Sequence, residues 1–101
     1  MEDQLLGSRL WLSLKESLTA NHVGAYNIKV DQIFNSDLGF TDIVLDLKHV
    51  LNIDSVGVTF VIGLFKRTEA SGRSFSVSNA SSDILSLFRL MKLDQFFKMN
   101  D

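Results

Sequence analysis

The stretch LDLKHVLNIDSVGVTFVIGLFK, from Leu45 to Lys66, is the most informative part of this sequence. Its apolar run through Leu47 is typical of a buried β-strand. Asp54 and Ser55 are residue types that favour a helix N-terminus, and an apolar block follows them at once. We therefore predict a strand, a short loop and a helix from Ser55 to about Ala70, which Ser71-Gly72 ends.

The residues before this stretch predict a hairpin and a first helix. Leu10, Leu12 and Leu14 alternate with more polar residues, which is the period of a half-buried strand. Gly7-Ser8 suits a type II′ turn, with residues 4–6 as a brief partner strand. The apolar period then changes to three and four residues, which predicts a helix over residues 21–35.

After the central helix, the segment RSFSVSN predicts another strand, and Ser81 or Ser82 caps a helix that carries Ile84, Leu85, Leu87, Phe88 and Met91. A last edge strand is expected at residues 96–99. Strands that alternate with helices indicate a partly parallel sheet. We predict a single α/β domain over residues 1–101, with a mixed four- to five-stranded sheet and about three helices packed against it.

Composition excludes several classes of function. The 101 residues carry a net charge of −2, with no basic cluster of the kind that binds nucleic acid. The absence of cysteine excludes disulfides and thiolate chemistry. Neither a signal peptide nor an apolar run of membrane-spanning length is present, so we expect a cytoplasmic protein without direct membrane insertion. The sequence has no nucleotide-binding or metal-binding motif, and we expect no cofactor.

The central helix is apolar on two sides. Val58, Val61, Ile62 and Phe65 form one side, which we expect to face the core. Phe60 and Leu64 lie opposite, beside Val56 and Gly63, with Arg67 at the rim. Either a neighbouring helix covers this second side, or it is an exposed strip that binds a partner protein.

Ser55 is the main candidate for chemistry. Asp54 or Ser55 is expected to cap the helix, and a phosphate on Ser55 would face the positive end of the helix dipole. A hydrolase elbow of the form G-x-S-x-G is disfavoured, because Ile53 occupies the leading glycine position. The two histidines, His22 and His49, have no pattern that ties them to Ser55. We therefore predict no enzymatic activity.

With these elements and Ser55 in place, the sequence resembles the STAS domain family of sulphate-transporter tails and anti-sigma factor antagonists. The resemblance rests on residues 42–97, where Asp46-Leu47, Val50 and the element Ile53-Asp54-Ser55-x-Gly57 lie between a strand and an apolar helix. The segment LSLKESLTANHV resembles the entry to the family's first helix. A C-terminal helix, usual in the family, is missing from the predicted elements, and Val56 replaces the small residue usual after the serine.

The resemblance implies a bacterial regulator of transcription in a partner-switching pathway. Its unphosphorylated form binds an anti-sigma factor, which is a serine protein kinase with an ATP-binding histidine-kinase-like fold. This binding releases the client that the kinase holds. Phosphorylation at Ser55 abolishes binding, and a serine phosphatase restores it. The expected partner-binding residues are Asp54, Ser55, Val56, Gly57, Phe60, Gly63, Leu64 and Arg67. The alternative function is a STAS subunit that regulates or stabilises a lipid-transporting ABC transporter. Separately, the apolar surface that a missing C-terminal helix leaves is expected to be covered by a partner or by a second copy in a homodimer, or else the core is smaller than is typical.

Overall fold

The structure, a computed structural model, describes residues 1–100, and it confirms the predicted α/β fold with five strands and three helices. The strands are β1 (Glu2–Leu6), β2 (Arg9–Ser13), β3 (Asp42–Asp46), β4 (Ser74–Ser78) and β5 (Lys98–Asn100). The helices are α1 (Ala20–Phe34), α2 (Ser55–Ala70) and α3 (Ser82–Leu90), and a short 3₁₀ helix spans Leu93–Gln95. The central helix has the bounds that the sequence predicts.

The five strands form one mixed sheet in the order β1-β2-β3-β4-β5. The first pair is antiparallel and the other three pairs are parallel. The hairpin turn is as predicted, since Gly7 adopts a φ of 63° and Ser8 keeps a negative φ, which is the type II′ pattern. Each parallel pair is joined by a helix, and such crossovers are right-handed, which places successive helices on the same face of the sheet.

One face of the sheet therefore carries the hydrophobic core. Leu12, Leu45 and Val77, which are neighbours across β2, β3 and β4, are fully buried beneath the helices. The opposite face has no helical layer within residues 1–100. Val44 points to that face and is buried even so, because its register partners Trp11 and Ser76 flank it within the sheet.

The end of the chain departs from the prediction. The last strand begins at Lys98, two residues later than expected, because Phe97 is buried in the core and follows the 3₁₀ helix. The ring of Phe97 lies 5.1 Å from that of Phe75 in an edge-to-face arrangement. Packing of this aromatic side chain takes precedence over its strand propensity.

Helix α2 has α1 on one side and α3 toward the other, and the three helices differ in length. Helices α1 and α2 have 15 and 16 residues, and α3 has nine. At 1.5 Å per residue, α2 is about 24 Å long and α3 about 14 Å. Helix α1 packs against one side of α2, where Tyr26 lies beside Phe60 and Asp31 pairs with Arg67, and α3 lies toward the other side.

Candidate functional site: the N-terminus of helix α2

Asp54 ties together the N-termini of two helices. It is the N-cap residue of α2, and its Oδ1 accepts a hydrogen bond of 2.9 Å from the backbone N–H of Gly57. Its Oδ2 accepts a bond of 3.0 Å from the N–H of Ala20, the first residue of α1. Thr19 holds the N-cap position of α1 but makes no side-chain cap bond. One carboxylate therefore satisfies free amides of both helices.

The charge state of Asp54 follows from these bonds. The N–H of Ala20, followed by that of Gly57, holds the pKa of the Asp54 carboxyl below its ordinary value. Both amides belong to helix N-termini, where the backbone favours negative charge. Asp54 is therefore ionised at neutral pH and contributes a fixed negative charge beside Ser55.

Gly57 is required by a close approach of the β2–α1 loop. A Cβ at this position would lie 1.8 Å from the backbone oxygen of Leu18 and 2.7 Å from its carbonyl carbon. The same loop is held by two backbone hydrogen bonds, from Leu18 N–H to Asn52 O at 2.9 Å and from Asp54 N–H to Leu18 O at 3.1 Å. The aspartate and the glycine of the D-S-x-G element thus fix the same junction.

In the D-S-x-G element, Asp54 is the residue that caps α2, and Ser55 is not needed for capping. It is the first residue of α2 and is exposed to solvent. Its backbone oxygen accepts a hydrogen bond of 2.9 Å from the hydroxyl of Thr59, one turn further on. Because Asp54 supplies the cap, the Ser55 hydroxyl is accessible at the positive end of a helix dipole.

The structure corrects the expectation of an exposed partner strip at Phe60 and Leu64. Phe60 is 6% and Leu64 is 3% exposed, and both belong to the core. Helix α1 covers this side of α2, with the ring of Tyr26 lying 5.8 Å from that of Phe60. A neighbouring helix, which the sequence left as the alternative, therefore accounts for the second apolar side of α2.

The other predicted partner-binding residues are divided between surface and core. Gly63 and Arg67 are exposed on the α1 side of α2, where the Arg67 guanidinium pairs with Asp31 and lies 4.6 Å from the ring centroid of Phe34. Val56 is 43% exposed next to Ser55, whereas Gly57 is buried. Within the predicted set, Ser55 and Val56 are thus the exposed residues that lie together at the N-terminus of α2.

Sequence reasoning missed a groove on the opposite side of α2. We call it the Ser55 groove. It has a volume of about 410 Å³ between α2 and α3, and its lining includes Ser55, Val58, Ile62, Leu87 and Met91. Its apolar residues Leu87, on α3, and Met91, the residue that follows α3, are four positions apart, and this i, i+4 spacing was the available signal.

Asp46, at the end of β3, has a structural role on the sheet. Its carboxylate accepts hydrogen bonds from Ser13 Oγ at 3.0 Å, from Lys48 N–H at 3.0 Å and from Asn79 Nδ2 at 3.1 Å. Partial burial acts to raise the pKa of Asp46, but the bonds from Asn79, Lys48 and Ser13 outweigh it and lower the pKa. Asp46 thereby joins the loops at the carboxyl edge of the sheet.

The part of the chain that the structure describes contains neither a metal-binding cluster nor a helix suited to span a membrane. Residues 1–100 contain no group of three or more His, Cys, Asp or Glu side chains placed to hold a metal ion. Among their helices, none combines the length and apolar character that crossing a bilayer requires.

Comparison with known proteins agrees with this geometry. The model of the STAS domain family matches residues 6–101, and the chain therefore belongs to the STAS domain family. A Thermotoga maritima protein classed as an anti-sigma factor antagonist has a similar structure, with a TM-score of 0.89 at 21% identity over 99% of this chain and 85% of that one.

The anti-sigma factor antagonist SpoIIAA is also similar. Its unphosphorylated form gives a TM-score of 0.75 at 20% identity, over 99% of this chain and 86% of SpoIIAA. The phosphorylated form of the Bacillus cell fate determinant SpoIIAA gives 0.74 at 19% identity, over 99% and 91%. These likenesses establish that the chain has the fold of the anti-sigma factor antagonists.

Proposed function

We propose that the protein is an anti-sigma factor antagonist that acts by partner switching. In its unphosphorylated form it binds an anti-sigma factor, a serine kinase with an ATP-binding histidine-kinase-like fold, and releases the client. The kinase phosphorylates Ser55, binding is lost, and a serine phosphatase restores the first state. The protein is itself a cytoplasmic substrate and switch, without catalysis or nucleic-acid binding of its own. The observation that carries this proposal is the exposed Ser55 at a helix start that Asp54 already caps.

The cap arrangement explains how a phosphate is tolerated by the fold. A phosphoserine carries about −1.5 to −2 charges at neutral pH, and a helix N-terminus favours negative charge. The carboxylate of Asp54 keeps the amides of Ala20 and Gly57, so the phosphate displaces no existing hydrogen bond. Repulsion from Asp54 directs the phosphate toward solvent. The fold is therefore retained while the surface changes.

The position of Ser55 explains how the same phosphate disrupts binding. Ser55 lines one end of the Ser55 groove, whose other lining residues include Val58, Ile62, Leu87 and Met91. A partner that packs against the accessible apolar side chains, Ile62, Leu87 and Met91, must exclude water from the end of the groove. A dianion there would have to be desolvated, which is costly unless it is paired. We place the partner surface on the groove, Val56 and Ser55, in place of Phe60 and Leu64.

The similar structures support the phosphorylation step by analogy. SpoIIAA has been solved in both an unphosphorylated and a phosphorylated form, and both share the fold of this chain. A fold of this kind thus accommodates a phosphorylated state. In this chain, Ser55 is the exposed serine of the D-S-x-G element and is the residue we assign as the acceptor.

The proposal is tested by affinity capture from the native cell extract with three baits: wild type, Ser55→Ala and Ser55→Asp. We expect wild type and Ser55→Ala to retain an ATP-binding serine kinase, and Ser55→Asp to lose it. The captured kinase, given labelled ATP, should label wild type at Ser55 and leave Ser55→Ala unlabelled. A transporter permease that all three baits retain would contradict the switch and identify a transporter subunit instead.

A further inference from the structure

A second groove lies further along α2, and we call it the Phe96 groove. It has a volume of about 520 Å³ and runs between α2 and the segment that follows α3. Its apolar lining comes from Ile62 and Phe65 of α2 and from Leu93 and Phe97. Phe96 lines it too, and its side chain is 61% exposed, with its ring 6.3 Å from that of Phe65. The exposed ring of Phe96 thus lies at the edge of a groove that other aromatic side chains line.

The same groove carries charges of both signs. Lys66 and Glu69 are exposed, lie one turn apart on α2 and line the groove. The four ion pairs found within residues 1–100 involve neither of them. Both charges therefore remain open to a partner at the edge of an apolar surface.

We propose that a second copy of this chain covers the Phe96 groove across a two-fold axis. In a two-fold interface the same patch serves both copies, so it must be complementary to itself. This patch contains the exposed ring of Phe96 and the apolar Phe96 groove, which can accept such a ring. It also contains a cation, Lys66, and an anion, Glu69, on the same helix. Each Phe96 enters the partner's groove, and each Lys66 pairs with the partner's Glu69. Buried aromatic anchors of this kind dominate the energetics of interfaces.

Sedimentation equilibrium of the purified chain, from micromolar to near-millimolar concentration, tests this dimer. We expect wild type to dimerise and Phe96→Asp to raise the dissociation constant at least tenfold, because the aspartate would enter an apolar hole. Ile28→Asp is the matched control, since Ile28 on α1 is 62% exposed, as Phe96 is 61% exposed, and lies outside the groove. It should dimerise as wild type does.

A charge exchange supplies a second arm that does not alter Phe96. Lys66→Glu should weaken the dimer, and Lys66→Glu combined with Glu69→Lys should restore it, because the patch is then complementary again. Thermal unfolding by circular dichroism checks that each variant folds. A wild type that stays monomeric, a dimer that survives Phe96→Asp, or a Lys66→Glu defect that the exchange leaves in place would overturn the proposal. No kinase is needed, so the outcome is independent of whether Ser55 accepts a phosphate.

Discussion

Gly57→Ala should destabilise the protein strongly, although alanine is the better helix former. The new Cβ would lie 1.8 Å from the Leu18 oxygen, a backbone atom that no side-chain rotation can move. Overpacking of this kind costs about 1–3 kcal/mol. A displaced Leu18 loop would also strain the hydrogen bond from Ala20 N–H to the Asp54 carboxylate, and bonds to charged groups are worth about 1.5–3 kcal/mol.

Helix propensity offsets part of this loss, since alanine gains about 1 kcal/mol over glycine in a helix. We therefore expect a net loss of about 3 kcal/mol in the free energy of unfolding, and a fall in Tm of about 12–24 °C for a domain of this size. Urea unfolding followed by far-ultraviolet circular dichroism measures the first quantity, and a thermal scan measures the second.

Gly63→Ala on the same helix is the matched control. Gly63 is exposed, and a Cβ there would meet no atom within 4 Å. The substitution should therefore stabilise the protein by about 0.5–1 kcal/mol. If Gly57→Ala were as stable as wild type, or as Gly63→Ala, the inferred contact with Leu18 would be wrong. The D-S-x-G element would then need its glycine for some reason other than the close approach of the loop.

Further predictions concern Asp54 and the two sides of α2. The pKa of Asp54 is lowered in the folded state, so its contribution to stability is present above the pKa of an unperturbed aspartate, about 3.9, and is lost as the pH falls through the folded value. In urea titrations between about pH 5 and pH 2, Asp54→Asn should thus lose less stability on acidification than wild type. Phe60→Ala should lower the free energy of unfolding by about 3–5 kcal/mol, because it empties a buried site. Met91→Ser should instead weaken kinase binding with a change in stability within about 0.5 kcal/mol, as a calorimetric titration beside a urea titration would show, since Met91 is 42% exposed. Equal effects of the Phe60 and Met91 substitutions on stability would contradict the assignment of core and partner surface.

The elements of the fold follow from local patterns in the sequence. The bounds of α2 are set by residue types that favour helix ends, Asp54 at one end and Ser71-Gly72 at the other. The first hairpin follows from Gly7, whose positive φ suits the first position of its turn. Such signals lie within a few residues of the feature that they determine, and a sequence therefore displays them directly.

The side of α2 that α1 covers could not be predicted in this way. Phe60 and Leu64 on one side are as apolar as Ile62 on the other, yet the first two are buried and Ile62 is half-buried, so the apolar pattern does not distinguish core from surface. The answer depends on tertiary arrangement: a long α1 lies beside one side, and the nine-residue α3 lies beside the other. The groove forms on the α3 side, where Leu87 and Met91 line it opposite Ile62, and this arrangement leaves no signal in the sequence of α2.

The junction at the start of α2 was only partly predictable. The sequence indicates a cap at Asp54 or Ser55, and the structure assigns it to Asp54. The second bond of Asp54 joins it to Ala20, 34 residues away in the chain, and the contact of Gly57 with Leu18 is also long-range. Neither leaves a local pattern. Because Asp54 and Gly57 make these two contacts, Ser55 is not needed to fix the junction and its side chain is available on the surface.

The most direct measurement is the affinity of the purified anti-sigma kinase for this chain before and after stoichiometric phosphorylation, by calorimetric titration. We predict at least a tenfold loss of affinity, about 1.4 kcal/mol, with the phosphate mapped to Ser55 and the Tm of the chain nearly unchanged. Equal affinities for the two forms, or a phosphate carried by another residue, would contradict the proposed switch.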